Sequence, residues 1–419
     1  MELAVAVFFG REGEMGEGRY LTARGAAEEL GVSLATLYAY VSRGMIRSEA
    51  AGGRGRRYRA EDVRRLKERK ERRRNPEAAV EGALHWGTPV LESGITLISD
   101  GRLYYRGRDV VDLASRCGIE EVAALIWTGD PAEVSRLFPA PLELSPRVRA
   151  AIANVRDLGP LEACQVSLAL AGVGDVAAYD LRPGAVARTG GRILGLLASV
   201  AAGGEEYSAG VAETLRRGWG VPDEAAAALI DAALVLCADH ELPVSTFAAR
   251  CVASAGATPY AVVLAGLVAL SGVRHGGQVE LVEAFLREIE SAGEARAVIA
   301  GRLRRGDGVP GFGHSLYPEG DPRGAGLLRL VAGAYPEDPD GALCSAVAGE
   351  VFNLIGERPT VDFGLVTLGR VLGAPPGGAV ALFALGRTVG WIGHAIEQYG
   401  SGSLIRPRAR YAGEQPPGG

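Results

Sequence analysis

Residues 236–250 read LCADHELPVSTFAAR and follow an apolar segment, residues 224–239, whose spacing predicts a helix. His240 stands where that helix is expected to end, three residues before Pro243. A histidine at a helix end is held by the backbone and faces a cleft, where its protonation can be tuned for catalysis. His240 is therefore a candidate site residue.

Two of the other four histidines and one carboxylate follow the same pattern of a polar group beside glycine or proline. They are His275 in GVRHGGQVE, His314 in VPGFGHSLYPEGDPR and Asp362 in RPTVDFG, at residues 272–280, 309–323 and 358–364. A lone histidine is more often structural than catalytic. The assignment of these residues to one site therefore depends on the four motifs taken together and in this order.

The rest of the chain from residue 77 onward is rich in Ala, Leu and Val with helical spacing. The clearest helical segments are residues 224–239, 259–270, 279–293 and 379–399. The one clear strand signal is a hairpin around Asp100-Gly101, joining residues 95–98 to 103–105. These patterns predict a large, mainly α domain in which small residues let helices approach closely.

Composition excludes several kinds of protein. The chain has 419 residues, of which 47% are hydrophobic and 23% charged, as in ordinary globular proteins. Its 5 cysteines form no CxxC pair, so neither a zinc site nor a disulfide framework is predicted. Lysine occurs only at Lys67 and Lys70, which excludes lysine Schiff bases and P-loop lysines from the main body.

The N-terminal sequence carries no targeting pattern. The apolar stretch at residues 3–9 is far shorter than the ~20 residues that span a bilayer, and no basic segment precedes it. We therefore expect a cytoplasmic protein with no membrane partner.

Positive charge is concentrated near the N-terminus, where residues 42–74 hold 14 Lys and Arg against 5 Asp and Glu. In this region Thr22 can cap a helix that runs to Leu30, and Ser33 can cap a second helix through Arg43. Two short helices across a glycine turn predict a helix-turn-helix. The arginines and the tyrosine that follow are expected on a loop that contacts phosphates.

Residues 20–46, YLTARGAAEELGVSLATLYAYVSRGMI, and 56–66, RRYRAEDVRRL, resemble the MerR-like winged helix-turn-helix module. The resemblance implies duplex DNA as a partner, contacted through Thr36, Tyr38, Arg43, Arg54, Arg56, Arg57 and Tyr58. The second helix departs from that family, because Leu34, Ala35 and Tyr38 occupy exposed positions where arginines are usual. A protein-docking role is the alternative.

The four motifs of the main body also occur in a familiar order with four other stretches. These are ITLISDGRLYYRGRDVVDLA, EEVAALIWTGD, LFALGRTVGWIGHAIEQ and LIRPRARYAG, at residues 95–114, 120–130, 382–398 and 404–413. Together they closely resemble the citrate synthase family, which implies a mainly α fold with a large and a small helical domain. The predicted boundaries are an N-terminal tail at 1–18, the helix-turn-helix module with its basic helix at 19–75, a large domain at 76–277, a small domain at 278–372, and a return to the large domain with a C-terminal dimer arm at 373–419.

The resemblance implies the reaction and the roles of its residues. The family condenses acetyl-CoA with oxaloacetate and water to citrate and CoA, as a homodimer with a shared active site and without metal or prosthetic group. Asp362 would be the base, His275 would hydrogen-bond the thioester oxygen and His314 would be the general acid. The implied oxaloacetate ligands are His240, Arg323, Arg387 and Arg406, the last reaching the partner subunit. Because the body has no lysine, we expect the CoA phosphates to be bound by arginines such as Arg302, Arg304, Arg305 or Arg358.

Several motif positions depart from the family and leave substrate choice open. They are Cys237, Pro243, Val279, Ser315, Pro318, Thr360 and Gly364. One methylene contributes only ~1–3 kcal/mol to discrimination, so a 2-methylcitrate synthase that uses propionyl-CoA is a second hypothesis. A citryl-CoA lyase is a third. A DNA-binding regulator with the synthase-like body as metabolite sensor is a fourth, since a synthase dimer would give the helix-turn-helix its two-fold partner.

Overall fold

The computed structural model describes residues 20–51, 55–60, 62–63, 66, 91–138, 141–142, 144–204, 206–409 and 411–414. The chain forms two compact units, Met1–Glu92 and Ser93–Gly419, which are called the module and the body. The predicted tail at residues 1–18 and the predicted boundary at Asn75-Pro76 lie outside the described residues. The finer division of the body into a large and a small domain stays a prediction.

The module contains the two predicted helices, α1 (Ala23–Leu30) and α2 (Leu34–Ser42). The Thr22 side chain accepts a hydrogen bond from the Gly25 amide at 3.1 Å, and Ser33 accepts one from Thr36 at 3.3 Å. These side chains satisfy amides that have no partner within the helix. Gly31 ends α1 with a positive φ of 59°, a conformation that glycine adopts without a Cβ clash.

The prediction that the arginines of the module lie on a loop is wrong. Residues 55–59 form strand β3 (Gly55–Arg59), which pairs antiparallel with β1 (Tyr20–Thr22) and β2 (Ser48–Ala51) in the order β1-β3-β2. Tyr58, predicted to contact DNA, is only 2% exposed and packs in the core of the module with Leu37 and Val63. Strand pairing turns the ring inward, so Tyr58 stabilises the module instead.

The body begins with a small antiparallel sheet of β4 (Thr96–Ser99), β5 (Arg102–Tyr105) and β6 (Arg108–Asp109). Asp100 and Gly101 form the predicted turn, both with positive φ. Thr96 lies directly opposite Tyr105 in the register of β4 and β5. Strand β6 was not predicted from the sequence, because two residues are too few to show an alternating pattern.

Helices form the rest of the body and confirm its mainly α class. They are α3 (Val110–Ala114), α4 (Ile119–Thr128), α5 (Val134–Leu137), α6 (Pro146–Asn154), α7 (Pro160–Gly174), α8 (Pro183–Ala201), α9 (Val211–Gly218), α10 (Ala226–Cys237), α11 (Val244–Ser254), α12 (Pro259–Leu270), α13 (Gly277–Arg287), α14 (Ala295–Arg305), α15 (Pro322–Ala334), α16 (Pro339–Ile355), α17 (Val361–Val371) and α18 (Gly378–Ser401). Two 3₁₀ turns are added at Pro131–Glu133 and Val176–Tyr179.

Helix α18 lies at the centre of the body. Among the described residues it alone is long and apolar enough to cross a membrane, but its apolar side chains are buried against other helices, as in a core helix. Two glycines let it touch the end of α10. A Cβ on Gly386 would lie 2.5 Å from the Leu234 carbonyl oxygen, and one on Gly390 would lie 2.4 Å from that of Ala238. This close approach fixes the backbone that leads into His240.

The five cysteines differ in their exposure. Cys164, Cys237 and Cys344 are buried, as expected of small apolar residues. Cys117 and Cys251 are partly exposed.

Candidate active site

His240 follows the end of α10 and is largely buried. Its Nε2 atom lies 2.8 Å from the Tyr317 hydroxyl, and its ring centroid lies 5.5 Å from that of His314. Burial lowers the pKa of His240 well below its usual value, and the nearby cations Arg323 and Arg387 lower it further. The imidazole is therefore neutral at pH 7 and available as a hydrogen-bonding group.

His275 lies in the tight turn before α13. Its own amide donates to the Gly272 carbonyl at 2.8 Å, and Nε2 lies 2.7 Å from the Ser245 hydroxyl. The ring packs edge-on against Phe383, with centroids 5.9 Å apart. Burial, with a contribution from Arg387, lowers the pKa of His275 to about 4, so this imidazole is also neutral at pH 7.

His314 lies on the loop between α14 and α15. Its Nδ1 atom accepts a hydrogen bond from the Leu316 amide at 3.2 Å, so the ring proton of the neutral form lies on Nε2. Burial and the nearby Arg323 lower the pKa of His314. The ring stands 5.0 Å from Tyr317, measured between centroids, which joins it to His240 in one cluster.

Asp362 lies in the first turn of α17, where its Oδ2 atom accepts a hydrogen bond from the Thr360 hydroxyl at 3.1 Å. Burial raises the pKa of this carboxyl group, while Arg323 and Thr360 oppose the shift. Backbone hydrogen bonds connect this segment to the His314 loop. The Thr360 amide donates to the Gly311 carbonyl at 2.8 Å, and the Gly313 amide to that of Arg358 at 3.0 Å.

Two of the predicted arginines are buried at this site. Arg323, 3% exposed, forms hydrogen bonds of 3.0 and 2.8 Å with the two carboxylate oxygens of Asp321. Arg387, 1% exposed, donates from Nε to the Cys237 carbonyl at 2.9 Å and stacks over Phe383. Buried guanidinium groups suit a small substrate that carries carboxylates.

The structure does not join three of the other predicted arginines to this cluster. Arg305 is exposed and pairs with Asp307 at 3.0 Å, and Arg358 is exposed and stacks over Phe352. Arg406 is exposed in the C-terminal segment after α18. Within the part of the chain that the structure describes, their guanidinium groups make no contact with the histidines or Asp362. Their substrate-binding roles stay predictions.

Sequence reasoning missed three polar partners of these residues. Ser245 bonds His275, Tyr317 bonds His240, and Asp321 holds Arg323 while it accepts from the Val361 amide at 3.0 Å. All three lie within the quoted motifs, so the signal was their position next to a predicted site residue.

The predicted DNA-contacting residues fall into several groups. Arg43, Arg56 and Arg57 are exposed, and Tyr38 is 51% exposed on α2. Thr36 is partly buried and shares a hydrogen bond of 3.0 Å with Ser33 at the start of α2. Arg54 lies outside the described residues.

A pH profile tests the role of Asp362 as a base. Because burial raises the pKa of its carboxyl group, the base gains a proton as pH falls through a value above the ordinary ~3.9 of aspartate. We therefore expect kcat/KM to fall on the acid side with an apparent pKa above that value. An acid limb at or below the ordinary aspartate pKa would contradict this role.

The fold is that of a mainly helical enzyme, and its candidate site brings together a carboxylate, three histidines and two buried arginines. The family model described as "Citrate synthase, C-terminal domain" matches residues 83–408, and a "Helix-turn-helix domain" model matches residues 20–71. The chain belongs to the citrate synthase family. The predicted family and the predicted N-terminal helix-turn-helix are both confirmed.

Individual relatives agree with the family match. A Mycobacterium tuberculosis protein provisionally named citrate synthase 2 is 34% identical over 340 residues, which cover 75% of this chain and 88% of that protein. A 2-methylcitrate synthase of the same organism is 29% identical over 339 residues, covering 75% and 85%. The crystal structure of citrate synthase from Thermotoga maritima has a TM-score of 0.68 at 27% identity, covering 79% of this chain and 95% of that one.

Proposed function

We propose that the body condenses acetyl-CoA with oxaloacetate and water to give citrate and CoA. The observation that carries this proposal is the meeting of the four distant motifs with a fifth stretch, residues 382–398, which supplies Arg387. They bring a carboxylate of raised pKa, three histidines of lowered pKa and two buried guanidinium groups into one site.

The first step is removal of a proton from the acetyl-CoA methyl group by Asp362. The raised pKa of this carboxyl group makes it a stronger base than an ordinary aspartate. When the Ser245 hydroxyl donates to Nε2 of His275, the ring proton lies on Nδ1 and can be donated to the developing enolate oxygen. An imidazole whose pKa is about 4 remains neutral and is therefore a donor that keeps its role at pH 7.

The second step joins the two substrates. The enolate carbon attacks the oxaloacetate carbonyl carbon, and the carbonyl oxygen takes up the proton from Nε2 of His314. The bond from the Leu316 amide to Nδ1 holds this ring in the required tautomer. Water then hydrolyses the citryl thioester, which releases citrate and CoA. Asp362 gives up the proton it took from the methyl group and His314 regains the one it donated, so both groups return to their starting forms and one proton is released to solvent.

Oxaloacetate would be bound by Arg323, Arg387 and His240, with Arg406 reaching the site of a partner subunit. A homodimer is supported by large apolar side chains exposed on the body. Val173, Val176, Tyr179, Val268 and Val273 are 55% to 81% exposed. Apolar exposure of this extent favours burial against a second copy.

The acyl-CoA phosphates would be bound by arginines, since lysine is limited to Lys67 and Lys70. Arg305 and Arg358 are exposed cations of the body that could serve this purpose. By family resemblance the reaction requires no metal or prosthetic group, with acetyl-CoA as co-substrate, and takes place in the cytoplasm.

The experiment for the proposed function follows free thiol while purified protein turns over oxaloacetate with acetyl-CoA or propionyl-CoA. We expect release that depends on both substrates and is faster with acetyl-CoA. Faster release with propionyl-CoA would support the second candidate, 2-methylcitrate synthase. That activity is the name of one of the two Mycobacterium tuberculosis relatives. No release with either would overturn both and favour a metabolite-sensing regulator.

We further propose that the module binds duplex DNA through exposed arginines at its surface. Arg56 and Arg57 are consecutive exposed residues of β3, and Arg43 is exposed at the end of α2. Contacts with phosphates release counterions, so affinity should fall steeply with salt.

We expect the double variant Arg56→Gln/Arg57→Gln to weaken duplex binding at low salt. Because each phosphate contact contributes about 0.9 to the slope of log K against log salt, the loss of two contacts should also reduce that slope by about 1.8. Arg24→Gln is the matched control, because Arg24 is exposed but paired with Glu28 on α1. Duplex affinity that ignores salt, or no duplex binding at low salt, would indicate that the module docks a protein. An unchanged slope in the double variant would overturn the roles of Arg56 and Arg57.

A further inference from the structure

The segment from Cys237 to His240 is held at successive main-chain groups. Arg387 donates to the Cys237 carbonyl at 2.9 Å, and the Gly390 amide donates to the Ala238 carbonyl at 2.9 Å. Both donors come from α18, which the glycines allow to approach closely.

The main chain of Asp239 is held by a side chain from the β4–β5 hairpin. The Tyr105 hydroxyl donates to the Asp239 carbonyl at 2.9 Å and accepts from the Asp239 amide at 3.0 Å. Tyr105 and Asp239 are both completely buried, so neither bond competes with water. Burial also raises the pKa of Tyr105, so its hydroxyl keeps its proton.

The same hairpin holds the side chain of Asp239. The Thr96 hydroxyl donates to Oδ2 of Asp239 at 2.5 Å, and Thr96 is the cross-strand partner of Tyr105. Residues directly opposite in an antiparallel pair lie on the same face of the sheet. Thr96 and Tyr105, here called the hairpin clamp, therefore grip one residue through its side chain and main chain together.

Residue 240 comes immediately after this fixed backbone. Glu241 has a positive φ of 61°, so the chain turns sharply just beyond His240. The imidazole reaches Tyr317 at 2.8 Å from a main chain that has little freedom to move. A small displacement of a positioned group weakens substrate binding and catalysis strongly.

We propose that Tyr105 is a positioning residue for oxaloacetate binding, which acts by fixing Asp239 so that His240 faces the substrate. This inference rests on the proposed function of the site. The β4–β5 hairpin then has a role in substrate binding as well as in the fold, since Thr96 and Tyr105 both project from the hairpin onto Asp239. His394 contributes from α18, where its Nε2 lies 3.3 Å from Oδ1 of Asp239.

The test is Tyr105→Phe, which removes only the hydroxyl. We expect the Kd for oxaloacetate, measured by calorimetry, to rise about tenfold. KM for oxaloacetate should rise with it, while KM for acetyl-CoA stays within about twofold of wild type. Thr96→Val should shift oxaloacetate binding in the same direction by a smaller factor, and it serves as the second variant if Tyr105→Phe does not fold.

The matched control is Tyr207→Phe. Tyr207 is 3% exposed, and its hydroxyl bonds Glu120 at 3.2 Å in a different part of the body. It loses the same buried group, so it should lower the unfolding midpoint without changing oxaloacetate affinity. Equal weakening of oxaloacetate binding in both variants would show a general structural effect and overturn the positioning role.

A folded Tyr105→Phe protein with wild-type affinity would overturn the inference alone. Wild-type protein that binds no oxaloacetate would overturn the proposed function, and the clamp with it. Wild-type protein that binds oxaloacetate but releases no thiol would overturn the synthase reaction, and the calorimetric comparison would still decide the role of Tyr105.

Discussion

Asp362→Asn is expected to reduce kcat by about 10²–10⁴-fold, the usual contribution of a positioned general base. Asparagine has nearly the same shape and can still accept a hydrogen bond from the Thr360 hydroxyl, but it cannot take a proton from the acetyl methyl group. The measurement is thiol release at saturating concentrations of both substrates.

The unfolding midpoint of Asp362→Asn separates a chemical role from a structural one. Because burial raises the pKa of Asp362, the charged carboxylate destabilises the folded state at neutral pH. The neutral amide should therefore leave the midpoint unchanged or raise it. Asp340→Asn is the matched control, since Asp340 is a partly exposed carboxylate that forms an ion pair with Arg370. Wild-type kcat in Asp362→Asn would contradict the assignment.

His275→Ala is expected to reduce kcat/KM by about 10²–10³-fold, as removal of one oxyanion donor does in other enzymes. The loss should be in kcat more than in KM, because the enolate oxygen becomes strongly negative only near the transition state. Steady-state kinetics with acetyl-CoA as the varied substrate measure this split.

Two further variants test how His275 acts. His275→Gln restores a neutral donor and should recover part of the lost rate. Ser245→Ala removes the partner of Nε2 but keeps the imidazole, so its loss should be smaller than that of His275→Ala. A His275→Ala protein with wild-type kinetics, or a glutamine variant no better than alanine, would contradict the donor role.

The residues that carry the proposed chemistry were visible in the sequence because each stands beside a backbone break. His275 precedes two glycines, His314 follows Gly313 and Asp362 follows Pro359. The long apolar helices were also predicted, and Pro259–Leu270 matches α12 at both ends. Strong local patterns of this kind survive in the folded chain.

The features that were missed depend on contacts between distant residues. Tyr58 was placed on a DNA-contacting loop, but β3 pairs with β1 across more than thirty residues of sequence, which turns its ring into the core. Tyr105 meets Asp239 at a separation of 134 residues. No local pattern shows such a contact, because helix and strand periodicities report only which face of an element is buried.

We propose that Asp362 and its histidine partners convert acetyl-CoA and oxaloacetate into citrate. The most direct measurement is the stoichiometry of citrate and free CoA formed by the wild-type protein and by Asp362→Asn, with each substrate omitted in turn. We predict one citrate for each CoA released by the wild type, none when either substrate is left out, and almost none from Asp362→Asn. CoA released without citrate, or equal citrate formation by both proteins, would contradict it.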